Sequence, residues 1–230
     1  MPDLPPILLA ALAGFLTALI FSSIPVGPIN LTILNEGARR GCRWAMLIGL
    51  GAATMEVIYC SVAFTGFSSF FGNRTVKASM ELFSFVFLLF IGAKFLTAQT
   101  VNVPTKLDAA SEKIEARLGK KLHPRSAFMV GFVRVMGNLG VLLTWIVLAA
   151  NFMAHDWVAD TFAAKTACVG GVALGTNAWF CALSFGVSRG RGQLSEEMLL
   201  RLQHISGICL IAVAVFDGIH IVWQLARHKL

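Results

Sequence analysis

The sequence predicts an all-α membrane protein with six transmembrane helices arranged as two inverted three-helix repeats. Apolar residues make up 57% of the 230 residues, while Asp, Glu, Lys and Arg together make up 13%. An ordinary soluble domain holds roughly 45–50% apolar and about 25% charged residues. Together with a mean hydropathy of +0.74, this composition indicates that lipid is the solvent. It excludes a soluble globular domain, a disordered chain and a nucleic-acid-binding protein.

Six stretches of the chain are apolar over about 20 residues, which is long enough to cross roughly 30 Å of hydrocarbon as a helix. Their continuous apolar character distinguishes them from the alternating strands of a membrane barrel. The first stretch has no Lys or Arg before it and continues past any plausible cleavage site, so we interpret it as a span and not a signal peptide. The predicted spans cover residues 7–24, 44–67, 78–98, 126–152, 162–187 and 205–226.

Lys and Arg are distributed unevenly among the connections between these spans. The connections after the first, third and fifth spans hold 12 of them, and the other three hold 5. Cytoplasmic loops carry an excess of Lys and Arg. We therefore expect a multi-pass protein of the bacterial inner membrane with both termini in the periplasm.

The longest connection divides the chain into a first three-span repeat (1–98), a cytoplasmic linker (99–125) and a second three-span repeat (126–230). In the linker, Leu107, Ala110, Ile114 and Leu118 recur at helical spacing among charged residues. This pattern predicts a short amphipathic helix on the cytoplasmic surface, with a solvated linker as the alternative.

The two halves resemble each other weakly in sequence. Residues match in the same order along the chain at slowly increasing offsets, for example Cys60 with Cys181, and Glu56 falls opposite Asn177. Because each repeat holds an odd number of spans, the second copy must be inverted in the membrane. Many secondary transporters are built on that plan.

The end of the first span is interrupted by Pro25, Gly27 and Pro28, followed by Asn30. Two prolines and a glycine break the ladder of backbone hydrogen bonds at membrane depth. Pro28 is suited to begin a new half-helix, whose amide donors and positive dipole end can hold a carboxylate. A simple proline kink is the alternative, but we favour a functional break. Asn138 lies at the corresponding place in the second half, where the sequence has no proline. Its side chain either lines the site or hydrogen-bonds a neighbouring helix.

Four ionisable residues interrupt the apolar spans, at a cost of about 2.5–3.5 kcal/mol each on insertion scales. Lys94 lies near the end of its span and reaches the interface. Glu56 lies mid-span and serves as a proton carrier, unless it is a permanently protonated side chain bonded to a neighbouring helix. Arg134 requires an anion, which is a substrate carboxylate, Glu56 or Asp217. Asp217 lies in the outer half of the sixth span, where water can reach it.

Other motifs indicate packing and not chemistry. Gly171 and Gly175 form a face of small residues that suits close helix packing, within the bundle or in a homodimer. The five histidines lie in loops or near span ends and form no metal-ligand cluster, and the sequence has no phosphate loop or nucleophile elbow. We expect no catalytic residues, no metal site and no cofactor.

The stretch from Phe15 to Phe71 resembles the amino-terminal half of the LysE/RhtB family of amino-acid exporters. That family has a Pro-Gly-Pro signature, here Pro25 to Pro28 with Val26 as an extra residue, followed by an asparagine and spaced glycines. It places an acidic residue in the second span, where this chain has Glu56. The resemblance implies proton-driven export of amino acids or similar small polar metabolites.

We therefore predict a secondary transporter and not an enzyme. Its partners are a small-molecule substrate, protons and the lipid bilayer, and its pathway is formed by nine residues. These are Pro25, Gly27, Pro28, Asn30, Glu56, Arg134, Asn138, Asn177 and Asp217. The alternatives are a divalent metal cation exporter, which the fixed charge of Arg134 disfavours, and a membrane-embedded enzyme.

Overall fold

The computed structural model describes residues 4–22, 28–67, 74–99, 106–122, 126–189 and 196–226, and these residues form helices joined by short connections. The helices in chain order are α1 (Leu4–Ser22), α2 (Pro28–Arg40), α3 (Cys42–Phe67), α4 (Arg74–Leu96), α5 (Lys106–Leu122), α6 (Ala127–Met136), α7 (Leu139–Ala154), α8 (Phe162–Ser188) and α9 (Glu196–Ala226).

Local sequence signals explain where several helices begin. The side chains of Ser126, Asn138 and Thr161 accept hydrogen bonds from backbone N–H groups three residues later, at the starts of α6, α7 and α8. Each satisfies a donor that the first turn of a helix leaves unpaired. Pro28 is the first residue of α2, as predicted. Gly41, between α2 and α3, has a φ of +85°, a conformation that favours glycine.

Within the described residues, each of the six predicted spans overlaps an apolar helix or helix pair, and the all-helical class is confirmed. Among the described residues, three stretches are long and apolar enough to cross a membrane: Cys42–Gly66, Phe162–Ser188 and Gln203–Trp223. The pair α6 and α7 passes the same test together but is bent by 67°, which makes up to four. Pro6–Ser22 in α1 and Leu82–Leu96 in α4 are shorter apolar stretches. Six spans in two inverted repeats therefore stay a prediction.

The helices α3 and α8 lie against each other at the centre of the bundle, with α1 packed on α8 and α6 packed on α3. Glycines bring the backbones together at both crossings. A Cβ on Gly14 or Gly171 would overlap a carbonyl oxygen across the α1–α8 contact, and one on Gly51 or Gly131 would do so across the α3–α6 contact. Gly171 and Gly175 both pack on α1, so this glycine face serves packing within the bundle.

The outer faces of the bundle are apolar. Leu16 on α1, Phe90 on α4 and Ile219 on α9 have more than half of their surface exposed. Exposed apolar side chains recur along all three helices, so these faces suit contact with lipid.

The linker forms a helix, α5, which is the first of its two predicted alternatives. It packs against both α6 and α7, so it lies at the junction of the bent pair. Its cytoplasmic location stays a prediction.

Candidate functional site

The first-half break lies between Ser22, the last residue of α1, and Pro28. Residues 23–27, which include the predicted site residues Pro25 and Gly27, lie outside the described part of the chain. Asn30, in the first turn of α2, spans the break: its Nδ2 donates to the carbonyl oxygen of Ser22 at 3.0 Å. The indole Nε1 of Trp179 on α8 donates to Asn30 Oδ1 at 3.2 Å. Asn30 thus holds both half-helix ends in place and satisfies a carbonyl that the end of α1 leaves unpaired.

Glu56 lies beside this break. Only 6% of its surface is exposed, and the hydroxyl of Ser22 donates to its Oε2 at 3.4 Å. The side chain of Trp145 on α7 also lies near the carboxyl. Helices from both halves of the chain therefore surround this buried carboxyl.

The second half also has a helix break, and no proline marks it. The chain turns by 67° between α6 and α7, and Asn138 caps α7 by accepting from the N–H of Val141 at 3.2 Å. Two residues from other helices hydrogen-bond backbone groups on either side of the bend. The hydroxyl of Tyr59 donates to the carbonyl oxygen of Met136 at 2.6 Å, and Ser111 Oγ of α5 accepts from the N–H of Leu139 at 3.2 Å.

Both breaks meet the same turn of α3. Glu56 and Tyr59 are three residues apart, so they lie on one face of the helix, separated by a rise of roughly 4.5 Å at 1.5 Å per residue. Glu56 contacts the end of α1 through Ser22, and Tyr59 contacts the end of α6 through Met136. The two interruptions of the helix ladder therefore lie at nearly one depth, on opposite halves of the chain.

Arg134 has Glu115 of the linker helix as its ion-pair partner among the described residues, with Nε 3.7 Å from Oε2. The structure thus places it beside neither of the fixed partners considered from the sequence, Glu56 and Asp217. Glu115 also packs so closely on Gly137 that a Cβ there would lie 2.9 Å from its Cα. Burial raises the pKa of Glu115; Arg134 lowers it by less, and Glu112 adds to the rise.

Asn177 and Lys94 lie apart from these contacts. Asn177 Nδ2 donates to the carbonyl oxygen of Ala173 at 2.7 Å, one turn earlier on α8. Lys94 is in the last turn of α4.

Asp217 belongs to a second buried polar cluster, at the opposite end of α7 from the bend. Asn151 Nδ2 donates to its Oδ2 at 2.5 Å, and His155 Nε2 lies 3.4 Å from its Oδ1. Sequence reasoning missed Asn151 and His155. The available signal was their spacing, since two polar residues four apart at the end of an apolar run share one helix face.

The described residues hold no group of three or more His, Cys, Asp or Glu side chains placed to bind a metal ion. The polar groups at the two breaks are carboxyl, hydroxyl, amide and indole groups and the ends of half-helices. Groups of these kinds are able to form hydrogen bonds with small polar molecules.

Comparison with known proteins identifies the family of the chain. Residues 20–219 match the family model described as LysE type translocator. A protein of Bacillus subtilis (strain 168), named "Putative amino acid efflux protein YcgF", is 28% identical over 203 residues, which cover 88% of this chain and 92% of that protein. No solved structure matches the chain. The family match covers both helix breaks and the buried residues around them, and the chain therefore belongs to the LysE type translocator family.

Proposed function

We propose that this translocator exports amino acids or similar small polar metabolites across the bacterial inner membrane in exchange for protons. The observation that supports it best is the turn of α3 on which Glu56 contacts the first helix break and Tyr59 contacts the second. Discontinuous helices around an ionisable side chain are the usual substrate site of secondary transporters. The name of the Bacillus subtilis relative favours the same substrate class.

The two breaks offer opposite electrostatic ends to a zwitterion. The start of α2 presents the positive end of a helix dipole, and the end of α6 presents the negative end. We infer that a substrate carboxylate binds at the start of α2, near Pro25, Gly27, Pro28 and Asn30. The ammonium group then faces the Met136 carbonyl and Glu56.

Other predicted pathway residues take supporting positions in this proposal. Asn138 shapes the second break as the cap of α7. The guanidinium of Arg134 is paired with the carboxylate of Glu115. Arg134 therefore orients a substrate carboxylate only after this ion pair opens. Asn177 lines the pathway only if its amide leaves the Ala173 carbonyl.

The proposed architecture is six spans in two inverted repeats with both termini periplasmic. Matching crossings support the two repeats: α1 packs on α8 of the other half, and its counterpart α6 packs on α3. Gly14 in the α1–α8 crossing corresponds to Gly131 in the α3–α6 crossing, and Gly171 corresponds to Gly51 in the same way. Alternating access would then rock one repeat against the other around the two breaks.

Glu56 is the proposed proton carrier. A buried carboxyl takes up or releases a proton as the cavity around it opens to either side. Moving one charge through 100 mV supplies about 2.3 kcal/mol, which sustains roughly a fifty-fold gradient of a zwitterion. That gradient is adequate for export of excess metabolites.

The test of this proposal is Glu56→Gln in liposomes, with Glu197→Gln as the matched control. Glu197 is exposed and paired with Arg201 one turn later, so its substitution repeats the chemical change outside the site. We expect Glu56→Gln to retain exchange of labelled amino acid without a pH gradient, because occupied alternation needs no titration. It should lose uphill movement driven by a pH gradient, while Glu197→Gln keeps both.

Uphill export by Glu56→Gln at the wild-type rate would contradict the coupling role of Glu56. A parallel panel of amino acids and divalent metal ions tests the substrate class. Transport of the metals and not of the amino acids would favour the cation exporter instead.

A further inference from the structure

The linker helix α5 contacts both sides of the second helix break. Its Ser111 Oγ accepts from the N–H of Leu139, the first residue of α7, at 3.2 Å. Its Glu115 Oε2 lies 3.7 Å from Nε of Arg134, in the last turn of α6. Ser111 and Glu115 are four residues apart and therefore share one face of α5. This face bridges α6 and α7 across the bend.

Gly137, between α6 and α7, lets α5 approach the bend closely. A Cβ there would lie 2.5 Å from Cγ and 2.9 Å from Cα of Glu115. The φ of Gly137 is −79°, a conformation open to any residue, so glycine serves here for space and not for backbone geometry. Because α5 lies directly on the backbone of the bend, a change in the bend angle must displace α5.

The contact between Arg134 and Glu115 is a loose ion pair. Charge-assisted hydrogen bonds measure about 2.7–2.9 Å, whereas these two atoms are 3.7 Å apart. Nε of Arg134 and Oε1 of Glu115 are also buried without a hydrogen bond to any described residue. Both groups would therefore gain hydrogen bonds from a better-placed partner.

A free carboxylate is such a partner for Arg134. The guanidinium presents its N–H donors in a fixed fork that matches the two oxygens of a carboxylate. The side chain of Arg134 is 41% exposed, so a small molecule in solution can reach it. If another carboxylate takes Arg134, Glu115 loses its partner while still largely buried, which is unfavourable. The exchange therefore favours the departure of α5 from the bend.

We propose that α5 is a latch on the second break, held by Glu115 on Arg134 and released when the carboxylate of a small-molecule substrate takes the place of Glu115. In the predicted orientation α5 is cytoplasmic, so the carboxylate arrives from the side on which export begins. Release by substrate rests on the proposed function, whereas the attachment of α5 through Glu115 does not.

Electron paramagnetic resonance on the full chain in nanodiscs measures the position of α5. Spin labels are placed on Lys113→Cys of α5 and Ala38→Cys of α2 in a cysteine-free background, since both positions are exposed and lie outside the pair. The probes are glycine, alanine, leucine and lysine, each compared with its carboxamide, which lacks the carboxylate. We expect at least one of the amino acids to shift the distance between the labels and no carboxamide to do so.

Glu115→Gln should give the shifted distance without any probe, because an amide carries no charge to hold Arg134. Glu112→Gln is the matched control, since Glu112 is exposed on the same helix, and it should keep the wild-type distance. An unshifted distance in Glu115→Gln, or an equal shift with amino acids and carboxamides, would overturn the proposal. The probe comparison uses the wild-type pair, so it decides the question even if Glu115→Gln fails to fold.

Exchange of labelled amino acid in liposomes tests the competition for Arg134. Glu115→Gln should lower KM by roughly two- to fivefold, the weight of one partly exposed ion pair, because the competing carboxylate is gone. Arg134→Gln should raise KM, and adding Glu115→Gln to it should bring no further fall. A change in kcat with KM unmoved in Glu115→Gln would mean that α5 is merely structural and would overturn the latch.

The two measurements together separate the latch from the proposed function. Transport of amino acids with α5 unmoved by any of them would overturn the latch and leave the proposed export standing. A shift of α5 by amino acids without any transport would support the latch and reject the export.

Discussion

At the scale of single residues, the pairing of Arg134 with Glu115 makes a prediction about stability. The side chain of Glu115 is only 13% exposed, so removing its partner leaves a largely buried carboxylate uncompensated. Arg134→Gln should lower the free energy of unfolding by about 1–3 kcal/mol. The double variant Arg134→Gln with Glu115→Gln should regain most of that loss, since it removes both charges. Thermal unfolding in detergent measures both, and equal losses in the two variants would contradict a pairing role.

The same carboxyl predicts a dependence of stability on pH. Burial raises the pKa of Glu115 above its ordinary value, so the folded protein binds its proton more tightly than the unfolded chain does. The stability from this group is therefore complete below the ordinary pKa and is lost as the pH rises through the raised value. Glu115→Gln should remove this part of the pH dependence. An unchanged difference in unfolding temperature between acidic and neutral pH in that variant would contradict the assignment.

The sequence identified some site residues and missed others for a physical reason. Glu56 and Asp217 stand out because a charge within an apolar run is costly wherever the run packs. Ser111, Glu115 and His155 do not stand out, since polar residues in a linker or at a helix end are ordinary. Their roles depend on contacts made by residues far apart in the chain, and one sequence gives no record of such contacts.

At the scale of helices, the two breaks differ in how far local sequence determines them. Pro28 predicts the start of α2 because proline lacks the N–H that a first turn leaves unpaired. The bend between α6 and α7 has a weaker local signal, Asn138 as a cap, and also needs Tyr59 and Ser111 to bind the exposed backbone. Since those partners come from α3 and α5, the second break could not be predicted with the same certainty.

The glycine crossings predict opposite effects for two neighbouring substitutions in α8. A Cβ at Gly171 would overlap the carbonyl oxygen of Ala11, whereas a Cβ at Gly170 meets nothing within 4 Å. Gly171→Ala should push α1 away from α8 and cost about 1–3 kcal/mol of stability. Gly170→Ala should be neutral or stabilising by up to about 1 kcal/mol, because alanine is the better helix former.

Thermal unfolding of the two alanine variants, together with exchange of labelled substrate, provides the comparison. Because both changes add one methyl group to the middle of the same helix, differences between them report the α1–α8 contact alone. Equal stability of the two variants would mean that this crossing is looser than the structure indicates.

At the scale of the whole molecule, composition was sufficient to predict the class of fold but not the number of spans. The apolar content requires lipid around the helices, and the exposed apolar faces of α1, α4 and α9 agree with that requirement. The apolar stretches of α1 and α4 are shorter than a straight span, and the α6–α7 pair is bent. Whether they cross the membrane depends on tilt and on neighbouring helices, which hydropathy alone does not determine.

The orientation of the chain is the remaining prediction, and cysteine labelling in a cysteine-free background checks it. The excess of Lys and Arg after the first, third and fifth spans places α5 in the cytoplasm and the connection between α7 and α8 in the periplasm. Lys113 on α5 and Asp160 in that connection are both exposed, so a cysteine at either position is accessible on its own side. A membrane-impermeant reagent added to intact cells should label Asp160→Cys and should label Lys113→Cys only after the membrane is opened. The reverse pattern would mean that the termini face the cytoplasm.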